Sequence, residues 1–252
     1  MKLSSIKDWK KMGRQDPYYG VLSDEKFRLR NVTGEDLKEL FSSGEQYVKD
    51  SENRIKQIFG QSLADRSILD FGCGVGRLVI PFAQHSSKNV VGVDVSPDII
   101  EKAKARKSEL GIHNLELLAY DGIKLPNLSQ FDFINSYIVF QHIETSLGFS
   151  LLGQLLERLK PGGILQVQIT YGHDLPKFTY WNFLLRGNLP IYNCFYSFLK
   201  NRKLRADAVM QMNYYPPEKL FHLFSKYSKS VQVEFTNHGG HLGAFYIMRK
   251  DF

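Results

Sequence analysis

The sequence predicts an α/β fold, a doubly wound, mostly parallel sheet with helices on both faces. Three observations carry the prediction. Between residues 67 and 170, short apolar runs alternate with stretches of helical spacing. The first of these runs stops at a set of alternating glycines, where a buried strand must turn into a helix. The last two apolar runs are separated only by a glycine corner, which reads as a β-hairpin closing the sheet.

The first 66 residues read as helices and loops. "DLKELF" and "EQYVKDSENRIKQIF" have helical spacing, with Thr33 or Ser43 as N-caps. Strands follow at "SILDF" (67–71), "NVVGVD" (89–94), "LELLAY" (115–120), "FDFINSY" (131–137) and "GILQVQIT" (163–170). The helices between them are "GRLVIPFAQH", "PDIIEKAKARKSEL" and "SLGFSLLGQLLERLK". Crossovers joining parallel strands are right-handed, so the helices should cover both faces. After Thr170 the alternation stops. Residues 171–212 form an insertion, followed by the helical "PPEKLFHLFSKYS" and the strands "VQVEFT" and "GAFYIMRK". The domain reading is a helical N-terminal segment or lid over 1–62 and one domain over 63–252, with 171–212 inserted on the acceptor side.

Composition excludes several classes. At 252 residues, 43% hydrophobic and 23% charged, the chain suits one globular α/β domain with additions. Its two cysteines, Cys73 and Cys194, make neither a disulfide framework nor a metal spacing. "MKLSSIKDWKK" lacks the apolar stretch of a secretory signal, so a reducing, cytoplasmic location is expected. No run is apolar enough to span a bilayer.

"ILDFGCGVGR" (68–77) is the motif that carries chemistry. Its glycines let the backbone turn sharply and approach a ligand, and the helix behind it offers free N–H groups. A dinucleotide fingerprint needs its third glycine at 77, where this chain has Arg77. A phosphate-binding loop needs a following G-K-[ST], which is missing. Asp94 ends the second strand 22 residues beyond Gly72, Asp121 follows the third strand in "AYDG", and "LKPGG" (159–163) leads into the fifth. A carboxylate at Asp94 can accept hydrogen bonds from both hydroxyls of a ribose.

With these companions, Asp70-Phe71-Gly72-Cys73-Gly74-Val75-Gly76 resembles the D-x-G-x-G-x-G motif of the class I S-adenosylmethionine (SAM)-dependent methyltransferases. The likeness covers roughly residues 67–170 and extends loosely to the closing hairpin. It implies a Rossmann-like sheet of seven strands with the last antiparallel, and SAM as cofactor. The cofactor-binding positions it implies are Asp70, Gly72, Cys73, Gly74, Arg77, Asp94, Val95, Asp121, Gly122 and Ser136. Asp94 would hold the ribose and Asp121 the adenine amino group. Arg77 is either a partner of the methionine carboxylate or a surface charge. Tyr18 and Tyr19 are placed to close over the cofactor from the N-terminal side. Alone, Asp94 and Asp121 also suit helix caps.

The acceptor side is read by elimination and position. "NSYIVFQH" (135–142) lacks the proline-containing motif of amino-group methyltransferases, and "NYYPP" (213–217) lies elsewhere. Neither cysteine sits in the motif of a cytosine-C5 enzyme. Gln141-His142 replaces a metal-binding Glu-His pair with a poor ligand, so no metal is expected. His142 is a candidate base. If the sixth strand runs parallel to the first five, the turn Asn237-His238-Gly239-Gly240-His241 reaches the cofactor rim. His238 and His241 are then candidates to accept a proton or bind a substrate hydroxyl, against a plain glycine hairpin with solvated histidines.

The chain carries a net charge of +7. The excess lies in residues 171–252, with 11 Lys/Arg against 5 Asp/Glu. Between Asp174 and Asp207 there is no acidic residue, whereas 175–206 holds six basic residues and eight aromatics. The basic residues are Lys177, Arg186, Lys200, Arg202, Lys203 and Arg205. This segment can be an aromatic lid, a peripheral membrane patch, a stacking surface for RNA, or a helical cap or dimer contact. The expected reaction is O-methylation of a small molecule, sugar or lipid-linked glycan. An RNA methyltransferase and a non-catalytic SAM-binding protein remain as alternatives, with tight NAD binding as the sign of an oxidoreductase.

Overall fold

A computed structural model describes residues 4–189, 191, 192, 195, 196 and 210–251. Cys194, Phe198, Lys200, Arg202, Lys203 and Arg205 lie outside them, as does the side chain of Phe183.

Seven strands form one sheet. They are β1 (Ile68–Phe71), β2 (Val90–Asp94), β3 (Leu115–Ala119), β4 (Phe131–Ser136), β5 (Leu159–His173), β6 (Gln232–His238) and β7 (His241–Arg249). Their order across the sheet is β3-β2-β1-β4-β5-β7-β6. Strands β1 to β5 pair in parallel, whereas β7 is antiparallel to both β5 and β6. The sixth strand therefore runs in the direction of the first five, and the order reverses at β1/β4, where open α/β sheets bind ligands.

Alternate side chains feed two cores. One face packs Leu69, Ile134, Leu165 and Met248 beneath α6 (Thr145–Glu157) and the helix Pro217–Phe224, here α8. The other packs Ile68, Phe133, Ile164 and Ile247 beneath α3 (Gly34–Phe59), α4 (Val79–His85) and α5 (Pro97–Glu109). Strands buried on both faces explain why their apolar runs show little alternation.

Three elements differ from the expectation. The two N-terminal helical stretches are one helix, α3, with Thr33 as its cap. The Asp36 N–H donates to Thr33 Oγ1 (3.2 Å), and the Thr33 N–H donates back to Asp36 Oδ2 (2.8 Å). Ser43 is an interior residue, its hydroxyl donating to the Leu40 carbonyl (2.6 Å). Helix α4 begins at Val79, because Gly76 is left-handed (φ 91°) and holds the chain in a turn. Strand β5 runs past Thr170 to His173, since a bulge at Thr170/Gly172 lets pairing with β7 continue to His241. The segment beyond β5 starts after His173 and opens with α7 (Lys177–Asn188).

Ahead of the sheet, α1 (Ser4–Gln15) and α2 (Pro17–Val21) pack beside the glycine loop and the loop after β3, with Val21 against Gly74 and Ile6 against Gly122. A Cβ on Gly13 would stand 2.1 Å from Ser96 Oγ, so only glycine lets α1 lie this close to the end of β2.

Candidate active site

Strand β1 ends at Phe71 because Gly72 (φ 77°) and Gly74 (φ 55°) take left-handed conformations closed to most side chains. The N–H groups of Gly72 and Cys73 both donate to the Val93 carbonyl, at 2.8 and 3.0 Å, which ties the loop to the end of β2. Asp94, the last residue of β2, accepts from the Gly74 N–H (3.1 Å) through Oδ2 and from the Ser96 N–H (2.9 Å) through Oδ1. Burial raises its pKa, and those backbone donors oppose the rise.

Asp70 is the buried acid behind the loop. Its Oδ1 accepts from Asn135 Nδ2 (2.8 Å), and its Oδ2 is buried with no partner among the described residues. Burial pushes its pKa up to about 7, with Asn135 and the Arg77 charge pulling the other way. Asn135 is itself held. Its Oδ1 accepts from the Tyr47 hydroxyl (2.8 Å) and from Gln166 Nε2 (3.2 Å), and Gln166 also donates to Ser51 Oγ (2.9 Å). One polar network thus links α3, β4 and β5 to the acid of the glycine loop.

Arg77 is buried rather than a surface charge, with its guanidinium carbon 5.7 Å from the Tyr137 ring centre. Its Nε has no hydrogen-bond partner among the described residues, and burial lowers its pKa. A buried cation of this kind is a ready receptor for an anionic group.

These residues line a cavity of about 520 Å³, in the range of small-molecule sites. Gly72, Gly74 and Asp94 line one side, and His142, His238 and His241 another. Trp9 of α1 and Tyr19 of α2 also line it. Tyr18 instead packs beside Phe27 and Leu40.

The β6–β7 turn is built as its sequence suggests. Gly239 (φ 61°) and Gly240 (φ 91°) form a two-residue turn with both central residues left-handed, which sets His238 opposite His241. The Nε2 of His238 is buried without a hydrogen-bond partner among the described residues, and its ring lies edge-on to Tyr137 at 5.8 Å. His241 Nδ1 lies 3.2 Å from the Tyr214 hydroxyl. Burial lowers the pKa of both histidines, so both are neutral at pH 7.

Residues 68–163 match the family model described as a methyltransferase domain. That stretch contains the glycine loop, Asp94 and the β4 segment facing the cavity. Residues 68–163 therefore form a methyltransferase domain, in a chain whose fold is shared with a methyltransferase solved with bound SAH and SAM. The chain is 34% identical over 106 residues to a ribosomal protein L11 methyltransferase of Pseudomonas paraeruginosa, which covers 42% of this chain and 34% of that protein. It is 34% identical over 116 residues to a tRNA U34 carboxymethyltransferase of Pseudoalteromonas atlantica, covering 45% and 35%. The chain thus spans about a third of the length of these curated relatives. In fold it resembles the magnesium protoporphyrin IX methyltransferase of Synechocystis solved with bound SAH, at TM-score 0.60 and 16% identity, over 98% of this chain and 95% of that one. TehB from Haemophilus influenzae is similar at TM-score 0.54 and 15% identity, over 94% and 67%.

Within the methyltransferase domain, Asp70, Gly72, Cys73, Gly74, Arg77, Asp94, Val95 and Gly122 line the cavity together. Two expected positions do not. Asp121 is not part of the lining, and its Oδ1 accepts from the N–H groups of Ile123 (2.7 Å) and Lys124 (2.8 Å), capping its own loop. Ser136 is buried inside the sheet, its hydroxyl donating to the Phe71 carbonyl (3.1 Å). Cys73 is buried and its thiol pKa is raised, as befits a packed loop residue and not a nucleophile.

His142 is buried in the cavity wall against Trp9, with ring centres 4.9 Å apart. Its Nδ1 lies 2.8 Å from the Gln211 carbonyl, so Nδ1 carries the proton and donates. Its Nε2 is 3.2 Å from the Gln141 amide nitrogen, and burial lowers its pKa to about 4. That ring is a weak base with both nitrogens engaged.

Two features have no clear mark in the sequence. Ile138 in the β4 loop has φ 58°, a strained conformation for a β-branched residue, and it lines the cavity. His173 ends β5 opposite His241 and stacks on Tyr180 of α7 at 4.1 Å. His173, His241 and His238 therefore stand in a row across three strands, which the pairing of β5 with β7 creates and no local motif announces.

Proposed function

We propose that the chain transfers a methyl group from SAM to a hydroxyl of a small-molecule or glycan acceptor. One observation carries the reading: a single cavity is lined both by the cofactor loops and by three histidines from the β4 loop and the β6–β7 turn. Asp94 would accept from the ribose hydroxyls, and Arg77 would meet the methionine carboxylate. Asp70 would turn its unpartnered Oδ2 to the cofactor's ammonium, and Gly72 and Gly74 would allow close backbone approach. The N-terminal segment would act as a lid, with Trp9 and Tyr19 over the cavity.

Methyl transfer from a sulfonium is an in-line displacement. The acceptor oxygen attacks the methyl carbon, the carbon–sulfur bond breaks, and the hydroxyl proton leaves to a base. Positioning supplies much of the rate, and a base near neutrality supplies more. His238 suits the base role best. Burial lowers its pKa, its Nε2 is unengaged among the described residues, and it lines the cavity. His241, held by Tyr214, would orient the acceptor, and His142 would fix the wall between Trp9 and Gln211. Neutral rings are also the right company for a cationic cofactor, since a charged imidazolium would repel the sulfonium.

The test is SAM carrying a labelled methyl group, incubated with the protein and a cell extract that is then fractionated. Label in small molecules or glycans, lost in Asp94→Ala, supports the proposal. Label in RNA replaces it with the nucleic-acid reading. SAM binding with no label in any pool favours a binding protein without catalysis.

A further inference from the structure

Helix α7 carries large apolar side chains that stand exposed among the described residues. Phe178 is 84% exposed and Trp181 62%, with Leu185 also exposed. At 3.6 residues per turn these three fall within roughly 60° of arc, and Leu189 at the helix end continues the stripe. Ile191 (87%) and Phe195 (60%) extend the exposed apolar surface beyond the helix. The opposite face is pinned to the sheet, where Tyr180 stacks on His173. On the same wheel Lys177 and Arg186 flank the apolar stripe on either side, and Arg186 also lines the active-site cavity.

We infer that this face of α7 docks the protein on an anionic lipid bilayer. An aromatic stripe flanked by cations suits the headgroup boundary, where the rings enter the acyl edge and the long basic side chains reach the phosphates. Charge selects this occupant over a second copy of the chain. A two-fold contact would set the patch against itself, and residues 177–196, which carry the stripe, contain two basic residues, Lys177 and Arg186, and no acidic one. An anionic bilayer meets the same charge with its complement. Docking there would bring the α7 side of the cavity to the lipid surface, so a lipid-carried acceptor could enter without leaving the bilayer. That last step rests on the methyl-transfer reading; the docking does not.

The test uses the full chain with phosphatidylcholine vesicles, with and without phosphatidylglycerol. The chain has two tryptophans, and Trp9 is packed on His142, so Trp181 reports on the surface. Co-sedimentation with the phosphatidylglycerol vesicles is expected, weakened by salt. Trp181 emission should shift to the blue, and Trp181→Phe should remove the shift. Phe178→Ser with Trp181→Ser should lower partitioning at least ten-fold while SAM binding and the unfolding midpoint stay unchanged. Lys177→Glu should weaken binding to phosphatidylglycerol vesicles alone. No sedimentation at low salt, sedimentation indifferent to the serine variants, or a dimer that buries Trp181 would overturn the inference. So would tight binding of single-stranded RNA that quenches Trp181 without any vesicle binding. SAM titration of the same preparations reports separately on the cofactor site.

Discussion

Replacing Asp70 with asparagine should stabilise the empty protein at high pH and weaken its hold on SAM. Asp70 is 2% exposed, and burial raises its pKa from 3.8 to about 7. Its folded form binds a proton more tightly than its unfolded form. The stability this supplies is complete below pH 3.8 and is lost as pH rises through about 7. Integrating the two titrations between pH 5 and pH 8 gives a loss of about 2–3 kcal/mol from this one group. Asparagine keeps the shape and still accepts from Asn135, but it does not titrate. In urea unfolding at the two pH values, the variant should gain about 2–3 kcal/mol on wild type between pH 5 and pH 8. SAM binding should move the other way. At pH 8 the ionised carboxylate would meet the cofactor's ammonium, and a hydrogen bond to a charged group contributes roughly 1.5–3 kcal/mol, or about ten- to a hundred-fold in Kd. Parallel stability curves for the two proteins would refute the burial argument. Equal or tighter SAM binding by the variant would refute the role given to Asp70.

Other outcomes follow from the same geometry. Tyr47→Phe should cost only about 1 kcal/mol by chemical unfolding, because Asn135 and Gln166 each keep another partner. Asn135→Leu should cost more, about 2–4 kcal/mol, since it strips Asp70 of its Asn135 donor and takes from the Tyr47 hydroxyl the oxygen it donates to, leaving it only the Gln166 donor. His238→Ala should lower methyl transfer by about 10²- to 10⁴-fold with SAM affinity almost unchanged. Because burial lowers the His238 pKa, the wild-type rate should rise with pH through a midpoint below the usual histidine value of 6.5 and then level off. Gly13→Val would drive a Cβ to 2.1 Å from Ser96 Oγ and 2.8 Å from Ile99 Cγ1. Displacement of α1 should appear as faster proteolysis within residues 4–15 and weaker SAM binding.

What the sequence made legible was local. Each strand of the sheet shows as an apolar run, and the glycine loop with Asp94 shows as a motif with fixed spacing. The helix cap at Thr33 shows because Asp36 completes it three residues on. What stayed hidden depends on contacts between distant segments. Asp121 sits at the expected offset, yet two backbone N–H groups of its own loop bond one oxygen of its carboxylate. Burial raises the Asp70 pKa against the pull of Asn135 and Arg77, and the Tyr47 and Gln166 bonds that hold Asn135 converge on it from other elements. His173 becomes part of the histidine row only through β5–β7 pairing, and the bulge that extends β5 has no signature in "ITYGH". The engagement of His142 depends on Gln211, 69 residues away.

The most direct test of the account is calorimetric titration of the purified protein with SAM. The account predicts saturable binding at one site, weakened at least ten-fold by Asp94→Ala, a variant that should remain folded by circular dichroism. Absence of binding, or equal affinity in the Asp94→Ala variant, would contradict the assignment of this cavity as the cofactor site.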